Sequence, residues 1–324
     1  MIDKLNIKEV NDDYEWDNFI FHSQNKNVFS HSICINFSKF DKKKFFIMKS
    51  NEIWASFHLF IKDNNIVQDY IYSPINMRSF NESNIPSIRY KKFQIIDKYQ
   101  KFIFNNFKNG IIKLDHLSDD LRSFFWQNFE KGKNIYAVLD VRYTSILNLD
   151  IDQSKINLNN FSDSNCFKNF SRSAKQQFKY SLKYNFIFKE EFDLNFIREV
   201  FKKTLATQNK EIDCKLDDML KLYKMLYKKK IIKMFIVYEK NIKKSYTLIS
   251  LLNDHSIYVS GGLADRNNKD YSLFYNMVNV IIYLKDNNYK SFDLEGINSP
   301  NRGFWKEGFG GINKNYYTLS YNNV

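Results

Sequence analysis

The stretch Phe292-Asp293-Leu294-Glu295-Gly296-Ile297-Asn298-Ser299-Pro300-Asn301-Arg302-Gly303-Phe304-Trp305-Lys306-Glu307-Gly308-Phe309-Gly310-Gly311 holds five of the nine glycines and one of the three prolines in a chain of 324 residues. Glycine tolerates positive φ and lets other backbone come close. Such a cluster in a glycine-poor chain marks unusual backbone, and three acids, an arginine and a lysine sit inside it. A built site is expected there.

Reading outward, 291–294 is expected to be a strand and 271–287 an amphipathic helix. Before them, 231–239, 244–253 and 256–261 read as a three-strand meander with turns at Asn241 and Asn253-Asp254. Helices are expected over 165–184, 194–208 and 216–229, and a closing strand over 316–321. The first half has a similar order. A capped helix opens at Asp12, strands follow over 44–49, 52–63 and 66–72, and 88–107 carries the helical stripe Phe93, Ile96, Tyr99, Ile103, Phe107. A strand (111–116), a helix (119–129) and further strands (136–149) complete it. The polar stretch 148–163 reads as the linker. Meander, helix and strand, twice over, is the element order of the GNAT acyltransferase fold. The expectation is an α/β (α+β) chain of two tandem GNAT-like domains, 1–150 and 151–324, the second carrying the glycine-rich loop.

Composition removes several classes. With 44% hydrophobic and 17% aromatic residues, the chain can bury two cores and is not a disordered one. No apolar run approaches the ~20 residues of a spanning helix. The charged N-terminus does not read as a signal peptide, so the expected location is the cytoplasm, the inner face of the membrane included. Cys34, Cys166 and Cys214 form no CxxC pair. The histidines (His22, His31, His58, His116, His255) show no HxxxH or HExxH spacing, so no metal site is expected. The net charge is +13, and residues 165–245 alone hold 20 Lys plus Arg against 9 Asp plus Glu. That quarter of the chain is suited to a polyanion.

The glycine-rich stretch, followed by Tyr316-Tyr317, resembles the C-terminal signature of the Fem-type (FemABX-like) transferases: a strand ending in Asp and Gly, a loop, an aromatic–Lys pair, then Phe-Gly-Gly. Trp16-Asp17-Asn18-Phe19-Ile20 with Val28-Phe29-Ser30 resembles the family's opening helix and turn. Tyr143-Thr144 and Phe170-Ser171-Arg172-Ser173-Ala174-Lys175 resemble the start of its second domain. No heptad stretch long enough for a coiled-coil arm is present, so the chain is similar to the compact members.

The resemblance implies an enzyme of the acyltransferase class. Acyl transfer from an ester to an amine passes through a tetrahedral oxyanion, which a fixed cation can stabilise, and the amine must lose a proton. Lys306 matches the family's lysine assigned to that oxyanion, and Asp293 and Glu295 are placed to orient the amine. These three are the catalytic candidates. Asn298, Ser299, Asn301, Arg302 and Trp305, with Tyr72 and Tyr258, are the substrate-binding candidates. No resident cofactor is expected.

The implied donor is aminoacyl-tRNA. The implied acceptor is an amino group on an anionic sugar-nucleotide or lipid-linked glycan of the cell envelope. The alternative is an acyl-CoA-dependent N-acyltransferase acting on an amino sugar in surface polysaccharide biosynthesis. Residues 263–271 stand where an acyl-CoA pyrophosphate loop would be and have no glycine after Gly262. The family's Arg-Gly-Pro loop is also missing near Tyr72-Ser73-Pro74-Ile75-Asn76-Met77-Arg78.

Overall fold

The computed structural model describes residues 5–70, 72, 75–81, 83–118, 120–126, 135–150, 155–206, 215–265 and 270–323. The chain forms two compact units, residues 1–143 with 315–324, and residues 144–314. No helix among the described residues is long and apolar enough to cross a membrane.

In the first unit, β1 (Leu5–Glu9) is followed by α1 (Asp13–His22) and α2 (Ser32–Phe37). The carboxylate of Asp12 caps α1 by accepting from the backbone of Tyr14 and Glu15. Then come β2 (Asp41–Lys49), β3 (Glu52–Lys62), β4 (Asn65–Val67) and β5 (Asn76–Met77). The long α3 (Ile85–Asn106), β6 (Asn109–Leu114), α4 (Arg122–Phe125) and β7 (Ile135–Asn148) follow. The strands β1 to β4 pair antiparallel in sequence, and β4 then meets β6 in parallel across the α3 crossover. The expected apolar stripe of α3 is real: Ile95, Ile96, Tyr99, Ile103 and Phe104 are buried against Phe45, Phe57 and Leu59 of the sheet. Trp16 of α1 stacks on Phe46 across the other face.

The second unit repeats the scheme. It runs α5 (Asn165–Lys168), α6 (Arg172–Ser181), β8 (Phe186–Glu190), α7 (Leu194–Ala206) and α8 (Lys215–Lys228). The meander is β9 (Ile232–Glu239), β10 (Ile242–Ser250) and β11 (His255–Leu263), followed by α9 (Ser272–Asp286) and β12 (Ser291–Gly296). Helix α10 (Pro300–Glu307) and β13 (Ile312–Asn323) end the chain. Strands β8 to β11 pair antiparallel in sequence, and β11 meets β12 in parallel across α9. The equivalence with β1 to β6 is strand for strand. The last residues of β7, 144–148, flank β12 antiparallel.

Three sequence expectations change. Strands β1 and β8 lie where no element was expected; each is five residues long and largely exposed, so its apolar pattern is weak. Residues 300–307 are a helix, α10, and not a loop: Pro300 opens it with φ already helical, and Gly303 is needed where a Cβ would lie 2.1 Å from the Ile297 carbonyl oxygen. The closing strand does not complete the second unit. Residues 317–322 of β13 pair with β6 from Tyr317↔Leu114 to Asn322↔Asn109, and Leu319 and Tyr321 are buried in the first core.

That placement is testable. Deleting residues 315–324 removes three buried side chains, Tyr316, Leu319 and Tyr321, and one side of the β6 ladder, at an expected cost of about 5 kcal/mol or more. Hydrogen exchange should accelerate in β3 and β6 while β9 and β10 stay protected. Loss of protection in β9 and β10 instead would contradict the assignment.

Candidate active site

In the second unit the parallel ladder between β11 and β12 stops at Ile257↔Asp293. Beyond it β11 follows β10 to Leu263, and β12 follows β7 to the pair Gly296↔Thr144. The register of β12 on β7 shifts between Asp293 and Gly296. Two neighbouring strands part here, and the glycine-rich stretch begins in the gap.

Asp293 is buried to 2% exposure. Its Oδ1 accepts the Thr144 hydroxyl at 2.5 Å and the Glu295 backbone N–H at 2.7 Å. The second bond is an Asx-type turn, which competes with the strand ladder. It accompanies a left-handed Glu295 with φ +63°, a conformation costly for a residue with a Cβ. Asp293, a catalytic candidate from the sequence, is buried and bonded to the backbone of Glu295. Sequence reasoning gave Thr144 no such role; its only signal was its place in the Tyr143-Thr144 anchor.

Lys306 comes to Glu295 from α10. Its Nζ lies 3.6 Å from Glu295 Oε2, donates to the Gly296 carbonyl at 3.3 Å, and sits 5.0 Å from the centroid of the Tyr258 ring. Both side chains are well covered, Lys306 at 9% and Glu295 at 14% exposure. Burial pushes the Glu295 carboxyl up from its usual 4.5 to about 7, Lys306 opposing this and Asp293 adding to it. Burial likewise draws the Lys306 ammonium down, with Glu295 and Asp293 opposing. Desolvation outweighs the attraction in both partners, as happens for ion pairs held at more than 3 Å out of water. Of the two, Glu295 titrates near neutral pH.

The other sequence candidates divide. Trp305 is half-buried and packs against Phe309 at 5.1 Å, Phe274 at 6.0 Å and Tyr258 at 6.2 Å, which fixes α10 to the core. Tyr258 forms one wall of the Lys306 site. Arg302 is exposed on α10, yet its charge acts on both Glu295 and Lys306. Ser299 precedes α10 without a side-chain capping bond, and Asn298 and Asn301 are exposed. Tyr72 belongs to the first unit, buried edge-on against Tyr316 at 5.1 Å, and is not among the residues that build this cluster. Of the loop around it, Ser73 and Pro74 lie outside the described residues, as do 266–269 of the segment compared with an acyl-CoA loop. Gly310, at φ +73°, closes the stretch where a Cβ would stand 2.2 Å from the Asn169 carbonyl oxygen.

The raised Glu295 pKa fixes a pH dependence of stability. The folded chain holds a proton that the unfolded chain has lost between pH ~4.5 and ~7, so stability falls as pH rises through that window. The full effect is about 3 kcal/mol at the upper end. Glu295→Gln should flatten this slope, seen as urea midpoints that converge with wild type at pH 5 and depart from it at pH 8. Parallel pH profiles for the two proteins would refute the burial argument.

No protein-family model matches the chain, and no curated protein matches it in sequence. Solved structures do. FemX superposes with a TM-score of 0.65 at 12% identity, covering 96% of each chain. A conserved protein of unknown function from Bacteroides thetaiotaomicron gives 0.59 at 9% identity, covering 98% of this chain and 99% of that one. L-PGS from Bacillus licheniformis gives 0.56 at 13% identity, covering 96% and 92%. At these identities the likeness is one of fold. The chain has the Fem-like architecture of two GNAT-like α/β units.

Proposed function

We propose that this chain is an aminoacyltransferase, moving an aminoacyl group from aminoacyl-tRNA to an amino group of a cell-envelope glycan or sugar-nucleotide precursor. The observation that carries the reading is the buried Glu295–Lys306 pair in the gap between β11 and β12. The acceptor amine attacks the ester carbonyl, and its nitrogen forms the new amide bond. The carbonyl oxygen takes the negative charge, which Lys306 stabilises. Glu295, with a carboxyl that titrates near 7, takes the proton the amine must lose. Collapse of the intermediate breaks the ester bond, and the same proton goes to the departing ribose oxygen. Asp293 and Thr144 position Glu295, and Arg302 offers a guanidinium to an acceptor phosphate.

Two observations favour the tRNA donor over acyl-CoA. The first turn of α9, where a GNAT domain would hold a pyrophosphate on backbone N–H groups, is already occupied: Asp270 accepts from the Ser272 N–H at 2.8 Å. An incoming diphosphate would have to displace that bond. The second is the exposed lysines along α7 and α8, which suit an RNA backbone. In this reading the protein works in the cytoplasm.

Lys306→Met should lower turnover by about 10²–10³, the scale of one lost oxyanion donor, with little change in acceptor KM. Arg302→Ala should act in the opposite sense, chiefly on acceptor KM. The assay is transfer from aminoacyl-tRNA to amino-sugar nucleotides, with acyl-CoA as the competing donor. A fully active Lys306→Met protein, or turnover with acyl-CoA alone, would overturn the proposal.

A further inference from the structure

We propose that the end of the second unit bearing the candidate site is also a docking surface for an anionic lipid bilayer. The strand directions bring the pieces together. Parallel β11 and β12 both point their C-terminal ends toward the site, and the pair Ser245↔Leu263 brings the β9–β10 turn to the same end. Phe186↔Glu239 and Ile242↔Glu239 are successive pairs on one rung, so the α6–β8 link arrives there too.

This end presents apolar side chains to water. Ile242 is 66% exposed, Leu182 45% and Tyr184 39%. Tyr184 stacks on Phe186 at 5.1 Å and contacts Tyr271, as does Tyr180, so the aromatic part is a held platform. Lysines surround it. Lys179, Lys183 and Lys240 are exposed, with Lys183 Nζ 5.1 Å from the Tyr180 ring centroid. The acids Glu239 and Asp270 share Lys244, at 3.8 and 3.2 Å, and Lys179, Lys183 and Lys240 outnumber the one acid left over, so the rim is positive.

Charge selects an anionic partner, and the aliphatic side chains select its class. A bilayer surface takes Leu and Ile into its acyl boundary, tyrosines at headgroup depth, and lysine stems that reach the phosphates. Single-stranded RNA would use the lysines and aromatic faces but has no place for Leu182 and Ile242. The inference rests on this surface and not on the transfer reaction, so the inactive Lys306→Met protein should dock as wild type does.

The experiment is co-sedimentation of the whole chain with vesicles of phosphatidylcholine containing about one-third phosphatidylglycerol, against phosphatidylcholine alone. Wild type should bind the anionic vesicles, and less so at high salt. Leu182→Ser with Ile242→Ser should lower the partition coefficient about tenfold. Changing Lys179, Lys183 and Lys240 to Gln should weaken binding and remove most of its salt dependence. Ile111→Ser, an equally exposed apolar site on the first unit, should change nothing. No binding by wild type, equal binding by the Leu182/Ile242 variant, or loss in that variant of affinity for a single-stranded RNA rather than for vesicles would overturn the proposal.

Discussion

Asp293 has nowhere to go. It is held at 2% exposure by two hydrogen bonds, one from Thr144 on the flanking strand and one from the backbone of Glu295. A buried carboxyl group costs free energy unless its oxygens are hydrogen-bonded, and these two donors meet that need. Without the Glu295 N–H bond, nothing would offset the cost of φ +63° at a residue with a side chain. Without that turn, Glu295 would alternate to the face set by the β12 pleat rather than meet Lys306. The bulge lies on β12, which advances three residues from Asp293 to Gly296 against two on β7, and this bonded carboxylate sits where β11 and β12 part.

What this anchor maintains is an unfavourable arrangement. Glu295 and Lys306 lose more to desolvation than their 3.6 Å separation returns, so each is pushed toward its neutral form. A protein selecting for stability alone would replace such a pair with packed apolar groups. A base that titrates near neutral pH beside a lysine is what the proposed transfer requires. The aromatic packing of Trp305, Phe309 and Phe274 supplies the rigidity that keeps α10, and with it Lys306, in place.

Much of this was legible in the sequence, for definable reasons. The meanders are alternating, β-branched and aromatic, and α3 carries a full 3.6-residue stripe, so periodicity alone located them. The glycine cluster marked the site because Gly303 and Gly310 sit where a Cβ would strike backbone. Long-range pairing was not legible. Residues 316–321 read as a strand, but the partner of a strand is set by tertiary packing, and β6 claimed it. The same limit hid the role of Thr144, which acts 149 positions away from Asp293. Helix α10 was read as a loop because three glycines in and just after it mask a short helical run. Tyr72 lies in the first unit and the residues of the Lys306 cluster lie in the second.

The account turns on Glu295 acting as the base beside Lys306. The most direct test is the pH profile of kcat/KM for transfer from aminoacyl-tRNA, in wild type and in Glu295→Gln. The account predicts an acid limb with a midpoint near 7 in wild type, lost together with most of the activity in the variant. A profile unchanged by Glu295→Gln would contradict it.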